Sequence, residues 1–168
     1  ATYRTLSAAY SDGVRLGLVQ QNPTKRVRLP KLSSTPMKQI SRQDAAKIYS
    51  CAIQNPYMHA RVELGMVCGL RPGEVMGLLW SDIDWEERTL TIARQVQRIK
   101  GHGLEFQSVK QGNQRKIVLT DEQMRILQKH RDLQDVYRPM FSIDEGLLFP
   151  NSIGSKLDDK RDTSLWNK

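Results

Sequence analysis

Apolar side chains recur at helical spacing in the first part of the chain. Between residues 2 and 18 the apolar positions are Tyr3, Leu6, Tyr10, Val14 and Leu18. This spacing predicts a helix with one apolar face that another part of the protein must cover. Residues 22–38 then contain three prolines and no periodicity, so we expect an extended linker there.

Four further helices are predicted from their caps and their apolar spacing. Ser41 is placed to cap a helix that runs to about residue 54 with its apolar positions inward. Helical spacing continues over 57–68 and again over 72–80. Thr120, with a glutamine three residues on, forms a capping box at the start of the last of these helices.

The pattern changes to alternation in the middle of the chain. Three strands are predicted, at 89–92, 106–110 and 115–119, and the last two flank a turn at 111–114. We therefore expect a small three-stranded antiparallel sheet with helices packed around it. The predicted fold class is α+β, mainly α.

Basic residues are concentrated at the start of the chain. The net charge is +8, and residues 1–38 carry seven Lys or Arg against one Asp, which is +6 of that total. This balance favours a polyanionic partner such as nucleic acid, and the alternative is a linker that its charges merely keep solvated. The candidate phosphate contacts in the linker are Lys25, Arg26, Arg28 and Lys31.

Cysteine and histidine positions predict no metal site. Cys51 and Cys68 are isolated in helical patterns and are predicted to be buried thiols of a reducing compartment. The three histidines are scattered, so no zinc spacing arises. There is no apolar run of transmembrane length and no signal peptide. The chain opens at Ala1 within a helical pattern, so we expect sequence to precede it.

One arginine lies at a helix junction. Residues 69–74 read GLRPGE, in which Gly69 suits the position after a helix end and Pro72 suits the first position of the next helix. Arg71 between them is either a surface charge near a helix boundary or a ligand for a phosphate. The junction alone leaves both interpretations open.

The stretch around this arginine, GLRPGEVMGLLWSDID at 69–84, resembles the first arginine box of the tyrosine recombinases, which include the phage-type integrases. Cys68 stands where the family pattern has Thr, and Met76 and Gly77 also depart from the pattern. None of these departures removes a charged group.

Other parts of the chain resemble the same family in the expected order. SVKQGNQRKIVLT at 108–120 is similar to the family's lysine hairpin, with Lys110 at the lysine position. Residues 15–31 resemble the end of the core-binding domain and the linker after it, and residues 147–158 resemble a phenylalanine-containing segment of the catalytic domain.

The resemblance implies a tyrosine that attacks a DNA phosphodiester, giving a 3′-phosphotyrosyl link and a free 5′-hydroxyl. Arg71 would stabilise the negative charge of the transition state with a fork of donors that cannot lose its proton. Lys110 would protonate the leaving 5′-oxygen, against the alternative of a solvated turn lysine. Glu74 would support the site by orienting Arg71 or a neighbouring group, or else it is an ordinary first-turn acid of the helix.

Partners follow from the same resemblance. We expect double-stranded DNA at attachment sites, a homotetramer when the protein is full length, no membrane, and neither a metal nor another cofactor. The expected location is the host-cell cytoplasm, at the nucleoid. The residues expected to contact DNA are Lys25, Arg26, Arg28, Lys31 and Arg115.

The rest of the family's catalytic set is not found among these residues. None of the three histidines begins a His-x-x-Arg sequence, and all five tyrosines precede the position where the nucleophile belongs. The predicted organisation is the last helix of a core-binding domain at 1–21, a basic linker at 22–38, and the N-terminal part of a catalytic domain at 39–168. We therefore expect a piece of a recombinase for integration or excision, truncated before the nucleophile and unable to cleave DNA by itself.

Two other functions stay open at this point. One is a non-catalytic DNA-binding protein on the same fold, and the other is a basic helical protein without a DNA role. The letters HRDL at 130–133 match a kinase loop, but no glycine-rich loop accompanies them, so they are predicted to lie on a helix surface.

Overall fold

The computed structural model describes residues 2–29, 39–109 and 114–158. The chain divides into two compact units, residues 1–39 and residues 40–168. The elements of each unit follow the caps and the apolar spacing of the sequence, apart from the differences described below.

The described part of the first unit contains helix α1, Thr2–Arg15, and a 3-10 turn at Pro23–Arg26. Asn22 joins the two: its Nδ2 donates to the Ser7 carbonyl at 3.0 Å and to the Ser11 hydroxyl at 2.9 Å. Its Oδ1 accepts a backbone amide and caps the turn. The segment predicted to be extended is therefore folded against α1 at its start, because one amide side chain satisfies groups on both elements.

The described part of the second unit contains four α-helices. They are α2 (Arg42–Ala52), α3 (Pro56–Val62), α4 (Pro72–Met76) and α5 (Asp121–Tyr137). The predicted caps are present, since Ser41 Oγ accepts the Asp44 amide at 3.1 Å and Thr120 Oγ1 accepts the Gln123 amide at 3.2 Å. Helix α3 continues directly into a π-helical turn at Glu63–Val67.

Among the residues that the structure describes, five short strands form two antiparallel sheets. They are β1 (Ile83–Asp84), β2 (Thr89–Ile92), β3 (Arg94–Ile99), β4 (Gly103–Ser108) and β5 (Arg115–Val118). One sheet has the order β1-β2-β5, and the other is the hairpin of β3 and β4. The predicted α+β class and a three-stranded antiparallel sheet are thus confirmed.

The membership of the sheets differs from the prediction. The strand predicted at 106–110 corresponds to β4 and pairs with β3, not with the strand at 115–118. The prediction missed β3 because Val96 is its one buried residue, so its sequence lacks the alternation of a half-buried strand. The third strand of the larger sheet is β1 instead.

Helix α4 ends at Met76 and not near Trp80, where it was predicted to end. Beyond it, the Leu78 carbonyl and the Trp80 amide bond to Leu148 and Gly146, so these groups cannot continue the helix. The helix also lies close to β3. A Cβ added to Gly77 would lie 3.0 Å from Cα of Gln95, and one added to Gly73 would lie 3.0 Å from the carbonyl oxygen of Val96. Two glycines one turn apart therefore let the α4 backbone rest directly on the strand.

The core of the second unit lies between the three-stranded sheet, the helices α3 to α5 and the segment 147–149. Leu147, Leu148 and Phe149 are at most 1% exposed. The Leu148 amide donates to the Leu78 carbonyl at 2.9 Å, which joins this segment to the end of the arginine box. Burial of so many apolar side chains around α4 fixes the position of that helix.

The cysteines are less buried than predicted. Cys68 is half-buried, but Cys51 is exposed, and the prediction for Cys51 is wrong. Its neighbour Ala52 is the residue of α2 that enters the core, and successive helix positions are turned by about 100°. Within the described ranges, no helix is long and apolar enough to cross a membrane.

Candidate active site

Arg71 lies where the π-helical turn ends and α4 begins. Gly69 has a φ of +68°, a conformation that favours glycine, so the chain turns sharply just before the arginine. Arg71 itself is extended, with φ −69° and ψ 150°, as expected for a residue that precedes a proline. Its side chain is 72% exposed. The backbone is fixed while the guanidinium stays open to solvent.

Glu74 is fully buried directly beside Arg71. Its Oε2 accepts the backbone amide of Arg71 at 3.0 Å, and its Oε1 accepts an N–H from Nη1 of Arg71 at 3.1 Å. One carboxylate therefore holds both the backbone and the side chain of the arginine. Arg71 donates only one side-chain hydrogen bond in this arrangement.

Arg115, the first residue of β5, completes the cluster. Its Nη1 donates to Oε1 of Glu74 at 3.1 Å, and its Nη2 donates to Oε2 at 2.8 Å. Such a two-pronged pair is the strongest geometry between a guanidinium and a carboxylate. The side chain of Arg115 is 37% exposed, about half as much as that of Arg71. The register that pairs Arg115 with Ile92 of β2 puts it at this end of the sheet.

The electrostatics of the cluster keep Glu74 ionised. The hydrogen bonds from Arg115 lower the pKa of Glu74 to about 2, with help from Arg71, although burial alone would raise it. The carboxylate in turn raises the pKa of Arg115. At neutral pH the three side chains carry two positive charges and one negative charge. The remaining positive charge is exposed through Arg71, which makes the cluster suitable for an anion.

The other predicted site residues are distributed as follows. Lys110 and Lys31 lie outside the described residues. Lys25, Arg26 and Arg28 are exposed in the first unit. Arg26 donates from Nη2 to Oε1 of Gln21 at 2.9 Å.

Asp82, within the arginine box, has a role that the sequence did not reveal. Its side chain is 7% exposed, and its Oδ2 accepts the Leu79 amide at 2.8 Å and an N–H from Nη1 of Arg94 at 2.5 Å. The pair joins the end of the box to β3. The acidic residue is visible in the sequence, but its partner lies in a strand that was not predicted.

His130 is a packing residue. It is 2% exposed, so the prediction that the HRDL letters lie on a helix surface is wrong for this residue. Its Nε2 donates to the Leu148 carbonyl at 2.7 Å, its ring stacks on Phe149, and burial lowers its pKa, which keeps the ring neutral. It lines a cavity of about 450 Å³ that none of the cluster residues lines.

Tyr49 is held by a buried acid. Its hydroxyl donates to Oε2 of Glu63 at 2.8 Å. Burial and this contact raise its pKa to about 12, which makes it a poor nucleophile. The described part of the chain contains no group of three or more His, Cys, Asp or Glu arranged to hold a metal ion.

Comparison with known families decides the assignment. Residues 32–164 match the sequence pattern described as the Phage integrase family. The chain belongs to the phage integrase family. The matched range contains the whole cluster of Arg71, Glu74 and Arg115, and the resemblance predicted from the sequence is confirmed.

This chain is similar to two curated relatives, each over a different length. A XerC-like tyrosine recombinase of Caldanaerobacter subterraneus is 24% identical over 91% of this chain and 44% of its own length. An integrase of Saccharopolyspora erythraea is 24% identical over 57% of this chain and 22% of its own length. The chain thus spans less than half of the length of either relative.

A solved structure shares the fold. The integrase of the transposon Tn1549, solved in complex with circular intermediate DNA, matches with a TM-score of 0.79 at 20% identity. The match covers 99% of this chain and 54% of the solved chain. The described residues therefore share the fold of this integrase.

Proposed function

We propose that this chain is part of a tyrosine-type site-specific recombinase, an enzyme that integrates or excises DNA by cleaving and rejoining its strands through a 3′-phosphotyrosyl intermediate. The observation that carries the proposal is that the Arg71 guanidinium is exposed to solvent while the buried Glu74 carboxylate accepts hydrogen bonds from its backbone amide and from Nη1. Burial of a carboxylate is costly, so an arginine that served only as a surface charge would not require a hydrogen bond to a buried acid.

The chemistry assigned to each residue follows from its placement. Arg71 binds the non-bridging oxygens of the scissile phosphate. Its backbone is fixed at the helix junction, which keeps the guanidinium close to where negative charge develops in the transition state. Glu74 orients Arg71 through the backbone and the side chain. Lys110 protonates the 5′-oxygen that leaves. Strand exchange conserves the number of phosphoester bonds, so side chains suffice for the reaction.

The tyrosine nucleophile and the His-x-x-Arg box are assigned to residues other than these 168. The sequence given contains no His-x-x-Arg, and Tyr49 is disfavoured as a nucleophile by its buried acid partner. We accordingly expect the 168 residues alone to leave DNA uncut.

Double-stranded DNA is the proposed substrate, met in the host cytoplasm by a homotetramer of the full-length protein. The Tn1549 integrase was solved in complex with circular intermediate DNA, which supports the choice of partner. Lys25, Arg26, Arg28 and Lys31 are the proposed contacts to the DNA backbone, and the first three are exposed.

A covalent-trapping assay tests the enzymatic proposal. The protein encoded by the complete gene is incubated with a nicked suicide duplex that carries the ends of its own element, and denaturing gels reveal any protein–DNA adduct. We expect an adduct with the wild type, a loss of at least about 100-fold in its rate of formation for Arg71→Gln, and no adduct with the 168 residues alone.

Two outcomes of this assay would contradict the proposal. An adduct formed by the 168 residues alone means that the nucleophile lies among them. Salt-sensitive duplex binding by the complete protein without any adduct selects the alternative function, a non-catalytic DNA-binding protein on the same fold.

A further inference from the structure

Arg115 was predicted to contact DNA, but both of its terminal nitrogens are committed to Glu74. We infer that Arg115 is a positioning residue, which occupies both oxygens of Glu74 so that the Arg71 guanidinium remains available for a phosphate. The inference rests on the proposed function and assigns one more residue to the same site.

The first step of the argument is the unequal sharing of one carboxylate. Arg115 reaches it with two side-chain hydrogen bonds from a strand 41 residues further along the chain. Arg71 reaches it with one side-chain hydrogen bond, at 3.1 Å. Within the described part of the chain, Nε and Nη2 of Arg71 make no hydrogen bond. Arg115 is therefore the main hydrogen-bonding partner of Glu74, and Arg71 keeps N–H donors that are available to another ligand.

The second step considers the cluster without Arg115. Glu74 is buried on all sides, and a buried carboxylate strongly favours a fully hydrogen-bonded cation. Arg71 is the other guanidinium already in contact with it. The two-pronged geometry is the favoured one, so Arg71 would turn inward and replace the missing fork. A guanidinium held in this way no longer presents its donors to DNA.

The third step separates this role from two simpler ones. If Arg115 contacted a phosphate itself, its loss would weaken DNA binding whether or not Glu74 is ionised. If only the charge of the cluster mattered, lysine at position 115 would serve as well as arginine. The positioning role differs from both, because it requires the fork and acts only through the Glu74 carboxylate.

The side-chain NMR signals of Arg71 give the direct test. Nitrogen-labelled chain of 168 residues is compared with Arg115→Gln, with Arg115→Lys and with the double variant Glu74→Gln/Arg115→Gln, the Arg71 signals being assigned by their loss in Arg71→Lys. We expect one averaged set of Nη signals in the wild type, since a singly bonded exposed guanidinium rotates freely. In Arg115→Gln the Nη signals of Arg71 should split, because both oxygens of Glu74 then hold its guanidinium. In the double variant Glu74→Gln/Arg115→Gln the signals should average again.

Unchanged Arg71 signals in a folded Arg115→Gln variant would overturn the inference. If that variant does not fold, Arg115→Lys takes its place, because lysine keeps the charge but lacks the planar fork that pairs with both oxygens. Splitting in Arg115→Lys that Glu74→Gln reverses then supports the inference, and wild-type signals in Arg115→Lys overturn it.

Duplex binding provides a second readout. In a titration with a short fluorescent duplex, the slope of log affinity against log salt is negative. Arg115→Lys should reduce the magnitude of this slope by about 1, as the loss of one phosphate contact does. The double variant Glu74→Gln/Arg115→Gln should restore the slope. Weak binding by that double variant means that Arg115 is itself a phosphate contact and overturns the inference. Splitting of the Arg71 signals without any wild-type duplex binding supports the positioning role and contradicts the proposed function.

Discussion

The smallest unit of the site is a single buried acid shared by two arginines. Glu74 receives three side-chain hydrogen bonds and one backbone hydrogen bond, and each comes from Arg71 or Arg115. These hydrogen bonds therefore favour the charged form of Glu74 more strongly in the folded protein than in the unfolded chain. This dependence makes the stability of the fold sensitive to the protonation of one residue.

We predict that Glu74 contributes a pH-dependent part of the free energy of unfolding. Its pKa is lowered from 4.5 to about 2, so the contribution is complete above the unfolded value and is lost as the pH falls through the folded value. A shift of this size corresponds to about 3 kcal/mol. Urea denaturation of the wild type and Glu74→Gln from pH 7 to pH 2 should show a stability gap that narrows below about pH 5. A gap of constant size over this range would show that the carboxylate is not held in this way.

Single residues also mark the limit of sequence-based prediction at the site. Arg71 was predictable because its neighbours Gly69 and Pro72 encode a helix junction, and the letters around it form a family motif. The contact between Glu74 and Arg115 was not, because it joins residues 41 positions apart. Nothing in the spacing of a helix and a later strand indicates that two particular side chains meet.

At the level of elements, the site depends on the seating of α4 against β3. Gly73 and Gly77 bring the helix backbone into contact with the strand, and Asp82 then binds Arg94 of the same strand. This close packing, together with the burial of Val75 and Met76, determines where Arg71 lies.

Gly77→Ala is predicted to destabilise the protein by about 1–3 kcal/mol, because the new methyl group meets the backbone of Gln95 and Arg94 at 3.0–3.2 Å. Gly65→Ala is the matched control. Its methyl group has no neighbour within 4 Å, and we expect a change of less than about 1 kcal/mol. Thermal unfolding measures both. Equal stability of the two variants would refute the close contact between α4 and β3.

The elements show where sequence patterns succeed. Helices with capping residues, such as those after Ser41 and Thr120, were predicted within a few residues, because a cap is a local signal. The prediction missed β3 and paired β4 with β5 instead, because pairing partners are chosen by tertiary packing. The end of α4 was also not predictable, since the residues that bond Leu78 and Trp80 lie about 70 positions further along the chain.

At the scale of the whole molecule, charge is distributed unevenly between the two units. Residues 1–38 hold +6 of the net charge of +8, and the second unit adds the exposed Arg71. The proposed partner, duplex DNA, is a polyanion. The affinity should therefore depend steeply on salt, and binding by a multi-phosphate site should be largely lost by about 200 mM salt.

The salt dependence of duplex binding by Arg71 variants tests the central claim, that Arg71 is a phosphate ligand. Affinity of the 168-residue chain for a short duplex is measured across a salt series for the wild type, for Arg71→Gln and for the control Arg125→Gln. Arg125 is a comparably exposed arginine on α5, so its loss corrects for total charge. For the wild type we predict a slope of log affinity against log salt that corresponds to several released counterions. The magnitude of this slope should fall by about 1 in Arg71→Gln and by clearly less in Arg125→Gln. Absence of salt-dependent binding, or equal effects of the two substitutions, would contradict the claim.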